Sequence, residues 1–229
     1  MFIGELMKKR KIEKSVCIVF LIIILVVLGI LLLTNRLSKE VKNEHSNESI
    51  DEVVEEVPKE KRMSIIAVGD ILIHESVYKD AYNKEADSYD FHYQFTDIEP
   101  IIKKYDLKFC NQESLIGGAS LGISGYPSFN SPDEIGDELV DLGFNLISLA
   151  NNHTLDKGEN AVLYSNSYWK SKDVITAGSY SSNEERNEVK VYEQNGIKYA
   201  FFAYTTSSNG KVRKDYLVNM YSADKVKTI

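Results

Sequence analysis

Three apolar runs of strand length, each closed by a cluster of polar side chains, most constrain how this chain folds. Ser64-Ile65-Ile66-Ala67-Val68 ends in Gly69-Asp70, Leu107-Lys108-Phe109-Cys110 in Asn111-Gln112-Glu113, and Leu146-Ile147-Ser148-Leu149-Ala150 in Asn151-Asn152-His153. Helical signals separate the runs, and strand alternating with helix predicts a parallel-type α/β sheet. The C-terminal ends of parallel strands line up on one edge, where ligand crevices form. Carboxylate, amide and imidazole groups brought to that edge make a mixed nitrogen and oxygen donor set suited to divalent metals. One such cluster carries little weight; three in register predict a site.

The stretches between the runs specify the connections. Glu75 to Asn83 reads as a short helix and Tyr89 to Phe95 as a loop with aromatic anchors. Thr96 precedes Glu99 at capping-box spacing, which predicts a helix running to about Tyr105. Ser131-Pro132-Asp133-Glu134 repeats that signal, with Ser as N-cap and Pro at the first helical position. Leu139, Val140 and Leu142 supply the apolar face of this helix, and Gly143 ends it. Gly158 to Lys170 fits another helix and Val174 to Ala177 another strand. Val189 to Tyr192 and Lys198 to Tyr204, joined across Asn195-Gly196, predict a β-hairpin.

Upstream of these runs lies a different kind of segment. Val16 to Leu33 is uncharged and dominated by Ile, Leu and Val, near the lower length limit for a spanning helix. Lys8, Lys9, Arg10, Lys11 and Lys14 precede it, which places the N-terminus in the cytoplasm and the rest of the chain outside. A cleavable signal peptide is the competing reading of a basic start and an apolar run. The length of the run and the lack of a small-x-small cleavage site favour an uncleaved anchor over 16–34. Glu5 and Glu13 offset part of the basic charge of residues 1–15, so the −7 of the whole chain leaves −10 for residues 16–229. An acidic exterior argues against a nucleic-acid partner. Cys17 and Cys110 belong to different segments and cannot plausibly pair, so no disulfide is expected outside the membrane. Residues 35–62 alternate acidic and basic side chains with few apolar ones, the composition of a flexible tether.

Taken singly, each polar cluster has an ordinary structural reading. Asp70 can cap the helix that follows, and His74, one helical turn on, can be a surface residue. Asn111 and Glu113 share a strand face by two-residue alternation, and can aim at one ion or merely hold a loop. Asn151-Asn152 before His153 can be turn chemistry, or an amide ligand beside an imidazole that serves as ligand or general acid. Asp156 can orient that imidazole or cap the helix opening at Gly158. Asp70, Glu113 and His153 on three successive strand ends shift the weight toward a functional site.

The same residues carry a resemblance. Ala67-Val68-Gly69-Asp70-Ile71-Leu72-Ile73-His74, Asn111-Gln112-Glu113, Gly125-Tyr126-Pro127-Ser128-Phe129-Asn130-Ser131-Pro132 and Ala150-Asn151-Asn152-His153-Thr154-Leu155-Asp156-Lys157-Gly158 resemble the capsule-synthesis protein CapA family. That family is associated with poly-γ-glutamate capsule production and belongs to the calcineurin-like metallophosphoesterase superfamily. The resemblance spans about Met63 to Tyr204. It implies a layered α/β/β/α metallophosphoesterase-like domain, with Asp70, Glu113 and Asn152 at metal-ligand positions and His153 at the place of the catalytic histidine. The implied cofactor is a divalent ion, Mn, Zn or Mg. Gln112 stands where Leu is usual, a change that leaves the ligands untouched. Family members also carry His-Trp-Gly-x-Glu and His-x-His motifs in a second half, whereas the last histidine here is His153. The expected organisation is therefore a cytoplasmic tail (1–15), a membrane anchor (16–34), a tether (35–62) and an extracellular domain (63–229) holding the first half of the fold.

Three functions stay open on these grounds. One is a membrane-anchored metallohydrolase acting on a phosphoester. Another is a non-catalytic accessory of an exopolymer synthase complex, binding an anionic polymer through a cation. The last is an inactive fragment of either.

Overall fold

A computed structural model describes residues 21–39 and 59–226 of the 229-residue chain. They fall in two units, 1–59 and 60–229. The basic segment 1–15, the start of the apolar run and most of the tether lie outside the described residues.

In the first unit, helix α1 (Leu21–Lys39) is long and apolar enough to cross a membrane. None of its apolar window is buried, unlike that of a core helix. The helix runs past Thr34 into the tether's first residues, with Thr34 Oγ1 donating to Leu31 O and Ser38 Oγ to Asn35 O.

The second unit follows the order β1 (Ile65–Asp70), α2 (Glu75–Ala81), β2 (Tyr82–Asn83), β3 (Ser88–Tyr89), α3 (His92–Phe95), α4 (Glu99–Ile102) and β4 (Leu107–Asn111). It continues through α5 (Asp133–Asp141), β5 (Leu146–Ser148), α6 (Glu159–Lys170), β6 (Ile175–Ala177), α7 (Asn183–Asn187), β7 (Tyr192–Gln194), β8 (Ile197–Tyr199) and α8 (Ala223–Val226). Strands β1, β4, β5 and β6 form a four-stranded sheet in that order, every pair parallel. This is the α/β class that the alternation predicts.

Helix α5 presents Ile135, Leu139 and Leu142 along one face, and these pack with Cys110 of β4, Ile147 of β5, Ile102 and Trp169. Gly143, at φ +92°, ends α5 as expected, and Phe144 N donates back to Leu139 O while the ring enters the core. A second cluster joins Ala150, Leu155 and Val162 to Leu217 and Val218, tying residues near the C-terminus to the start of α6.

Several local expectations change. The first helix stops at Ala81, because Tyr82 and Asn83 pair antiparallel with Tyr89 and Ser88. The aromatic stretch Tyr89–Phe95 contains a helical turn, α3, where a loop was expected. Neither predicted side-chain cap forms. Thr96 donates to His92 O and Tyr93 O, closing α3 instead of opening α4, which ends at Ile102. Ser131 turns its hydroxyl onto Ser114 Oγ at 2.7 Å inside the protein, leaving Pro132 as the N-cap of α5. A buried hydroxyl without a partner costs more than a helix amide facing water. The hairpin is present, with Asn195 (φ +53°) and Gly196 (φ +75°) supplying the two positive angles of a tight turn. Its strands are short, however, and form a separate two-stranded sheet that leaves Val189 and Val191 unpaired and exposed.

Candidate functional site

The carboxyl ends of β1, β4 and β5 converge on one edge. Between the pairs Ala67↔Phe109 and Asp70↔Asn111, β1 spends one residue more than β4. This bulge sets Asp70 directly opposite Asn111. Gly69 lies within it, with open space where a side chain would be.

Amide side chains stitch the three strand ends together. Asn111 Nδ2 donates to Asp70 Oδ1 at 2.8 Å. Asn151 Nδ2 donates to Gln112 O at 2.9 Å and reaches Asn111 Oδ1 at 3.4 Å. Asn151 Oδ1 in turn accepts from the backbone N–H of His153 at 3.0 Å. Asn111 and Asn151 thus act as a frame. Gln112 is buried and donates to Ser114 O, and among the described residues its Oε1 has no partner.

Asp156 orients the imidazole and does not cap α6, whose N-cap Gly158 has no side-chain cap bond. His153 Nδ1 lies 2.7 Å from Asp156 Oδ2, and that carboxylate also accepts from Phe129 N at 2.8 Å. Asn209 Nδ2 reaches Asp156 Oδ1 at 3.3 Å and lies 3.1 Å from His153 Nδ1. A carboxylate only accepts, so the Asp156 contact assigns the ring proton to Nδ1 and leaves the Nε2 lone pair on the Glu113 side. Nε2 stands 3.8 Å from Glu113 Oε1. Phe129 packs edge-on against both His153 (4.7 Å) and His74 (5.0 Å). His74 therefore borders the site through that ring.

Glu113 faces Asp70 as well as His153. Burial first, and then the Asp70 carboxylate beside it, push the Glu113 carboxyl above its usual range, while His153 opposes the shift. Two neighbouring carboxylates either share a proton or hold a cation between them. Their chemistry, with the Asn152 amide and the imidazole, fits a hard divalent ion. Among the described residues no group of three or more His, Cys, Asp or Glu side chains stands ready to hold one. Asn152 is fixed through its backbone, its carbonyl accepting from Asn209 N at 2.8 Å.

Asn209 escapes a reading of the sequence alone. It lies 53 residues beyond Asp156, and its only local signal is the turn-forming pair Asn209-Gly210. Phe129 was visible only as part of a motif.

The arrangement defines an α/β protein with a polar site of paired carboxylates and an oriented imidazole at the ends of parallel strands. The model of the bacterial capsule synthesis protein PGA_cap family matches residues 64–227, and the chain belongs to that family. Two uncharacterized proteins of Sinorhizobium fredii, y4sH and y4uA, are similar to it. Each is 25% identical over 150 residues, covering 63% of this chain and 30% of the relative. The chain thus spans less than a third of the length of these relatives.

Proposed function

We propose that this capsule-synthesis protein is anchored in the membrane by α1, with its α/β domain outside the cell, and hydrolyses a phosphoester bond at the Asp70–Glu113–His153 site. The observation that carries this reading is the imidazole of His153, held from behind by Asp156 with its free nitrogen turned toward a carboxylate pair. Asp70 and Glu113, joined by the Asn152 amide, would hold a divalent cation (Mn, Zn or Mg), which when bound polarises the substrate's oxygen as a Lewis acid. The bond between Asp156 and Nδ1 fixes the ring, so Nε2, once protonated, is aimed to pass that proton to a leaving oxygen. Asp70 is exposed and Gly69 leaves open space beside it, so the carboxylate edge is open to a ligand. An anionic polymer such as poly-γ-glutamate would meet this acidic domain only through a bridging cation.

A second reading is a non-catalytic accessory of an exopolymer synthase, binding polymer without cleaving it. The small number of clustered ligand side chains favours it. Titration calorimetry of Mn²⁺ into the full-length protein in detergent, combined with p-nitrophenyl phosphate hydrolysis, separates the two. The hydrolase reading expects saturable binding that Asp70→Asn and Glu113→Gln abolish. It also expects turnover that His153→Gln lowers about 100-fold or more while binding persists, the scale of a positioned proton donor. Binding without turnover on any phosphoester tested selects the accessory role. No binding by the folded protein removes the cation from the proposal.

A further inference from the structure

A cavity of about 770 Å³ lies among α6, β6, α7 and the residues after the hairpin, and shares no residue with the group around His153. Small-molecule sites typically enclose ~300–1,000 Å³. Its α6 wall holds two buried polar side chains that find no partner among the described residues. Asn166, 4% exposed, leaves both amide atoms without a partner, and Trp169, 1% exposed, leaves its indole N–H without one. A buried polar group that stays unpaired destabilises the fold, a penalty an apolar side chain would avoid. The remaining walls are aromatic, with Phe201 and Tyr204, and cationic. The lining holds four cationic side chains against two carboxylates, in a chain that is net acidic. Lys170, Lys172 and Lys190 are each paired with a carboxylate. Arg186 gives its Nε–H to Asn219 Oδ1 at 3.0 Å, and among the described residues no carboxylate pairs with it.

We propose that this cavity binds a small sugar acid of the uronic type, with its carboxylate on Arg186, its hydroxyls on Asn166 and the Trp169 indole N–H, and its C–H face against the aromatic rings. A hydroxyl both donates and accepts, so neighbouring hydroxyls match an amide that offers one group of each kind beside an indole donor. A carboxylate offers the paired acceptors that a guanidinium recognises. An apolar ligand would leave Asn166 unpaired, and a bare inorganic anion would not reach the rings. The site stands independently of any role for Asp70 and His153.

Trp169 is the single tryptophan of the chain, so its emission reports occupancy directly. The full-length protein in detergent micelles is titrated with D-glucuronate at constant ionic strength, with D-glucose and acetate as controls that each carry half of the recognised chemistry. The proposal expects a saturable emission change with glucuronate and at least tenfold weaker responses to glucose and acetate. Arg186→Gln and Asn166→Leu should each raise the apparent Kd at least tenfold. Asn166→Leu should do so with an unchanged or higher thermal midpoint, which separates lost binding from lost folding. No saturable change with glucuronate, equal responses to all three probes, or variants that bind like the parent overturn it.

Discussion

Asp156 accepts from the imidazole of His153, the backbone N–H of Phe129 and the amide of Asn209, with its side chain 1% exposed. Removing it strands a backbone donor and frees the ring, two costs of the kind that follow loss of a buried acceptor. Asp156→Ala is expected to lower stability by about 2–4 kcal/mol, read from urea unfolding of the full-length protein, and to abolish any His153-dependent activity. A loss below about 0.5 kcal/mol would mean that the network is not formed in solution. Cys110 offers a contrast at the same scale. It is 0% exposed, and burial pushes its thiol up to about 12. The thiolate is the reactive species, so Cys110 should resist iodoacetamide at pH 8 in the native protein and react fully in denaturant, as peptide mass analysis would show.

Helices α5 and α6 meet at Gly136, where an added Cβ would lie 2.6 Å from Tyr168 Cε1 and 2.8 Å from Ile116 Cδ1. Glycine inside a helix costs about 1 kcal/mol relative to alanine, so Gly136→Ala tests which effect wins. Tyr168 cannot easily move aside, because its hydroxyl bonds Asp133 O at 3.0 Å and Asp137 Oδ1 at 2.7 Å. Burial, and then the Asp137 carboxylate, push that hydroxyl's pKa up and keep it neutral. The clash should dominate, with a net loss of about 1–3 kcal/mol in the urea midpoint analysis. A stabilised variant would show that the helices can separate without cost. The elements most legible in the sequence were those whose signals are local: the three strand runs, the apolar face of α5, Gly143 and the Asn195-Gly196 turn. The two capping signals failed because Thr96 and Ser131 found other acceptors. That choice depends on neighbours 17 residues away in the case of Ser131 and Ser114.

At the scale of the whole molecule, charge couples the fold to pH. The Lys170 ammonium holds the Glu185 carboxyl below its usual 4.5; burial opposes, and the Ser181 N–H adds to the lowering. A depressed carboxylate contributes stability that is present above its unfolded pKa and is lost as pH falls through the folded value. The urea midpoint of the full-length protein should therefore drop between pH 5 and pH 3, and Glu185→Gln should make that drop shallower. An identical pH profile in the variant would exclude this pair as a contributor.

The sequence by itself determined the α/β class, the family, an apolar helix near the N-terminus long enough to cross a membrane and the strand ends that carry Asp70, Glu113 and His153. Each of these rests on periodicity or on contiguous motifs, which act over a few residues. The tertiary structure alone decided that Asp156 serves the imidazole instead of the α6 N-terminus. It alone brought Asn209 to the site, where packing of Leu217 and Val218 against Ala150, Leu155 and Val162 returns the distant chain. It alone also left Asn166 and Trp169 unpaired around a cavity. Such outcomes depend on which buried donors and acceptors meet once the chain has closed, and no local pattern encodes that.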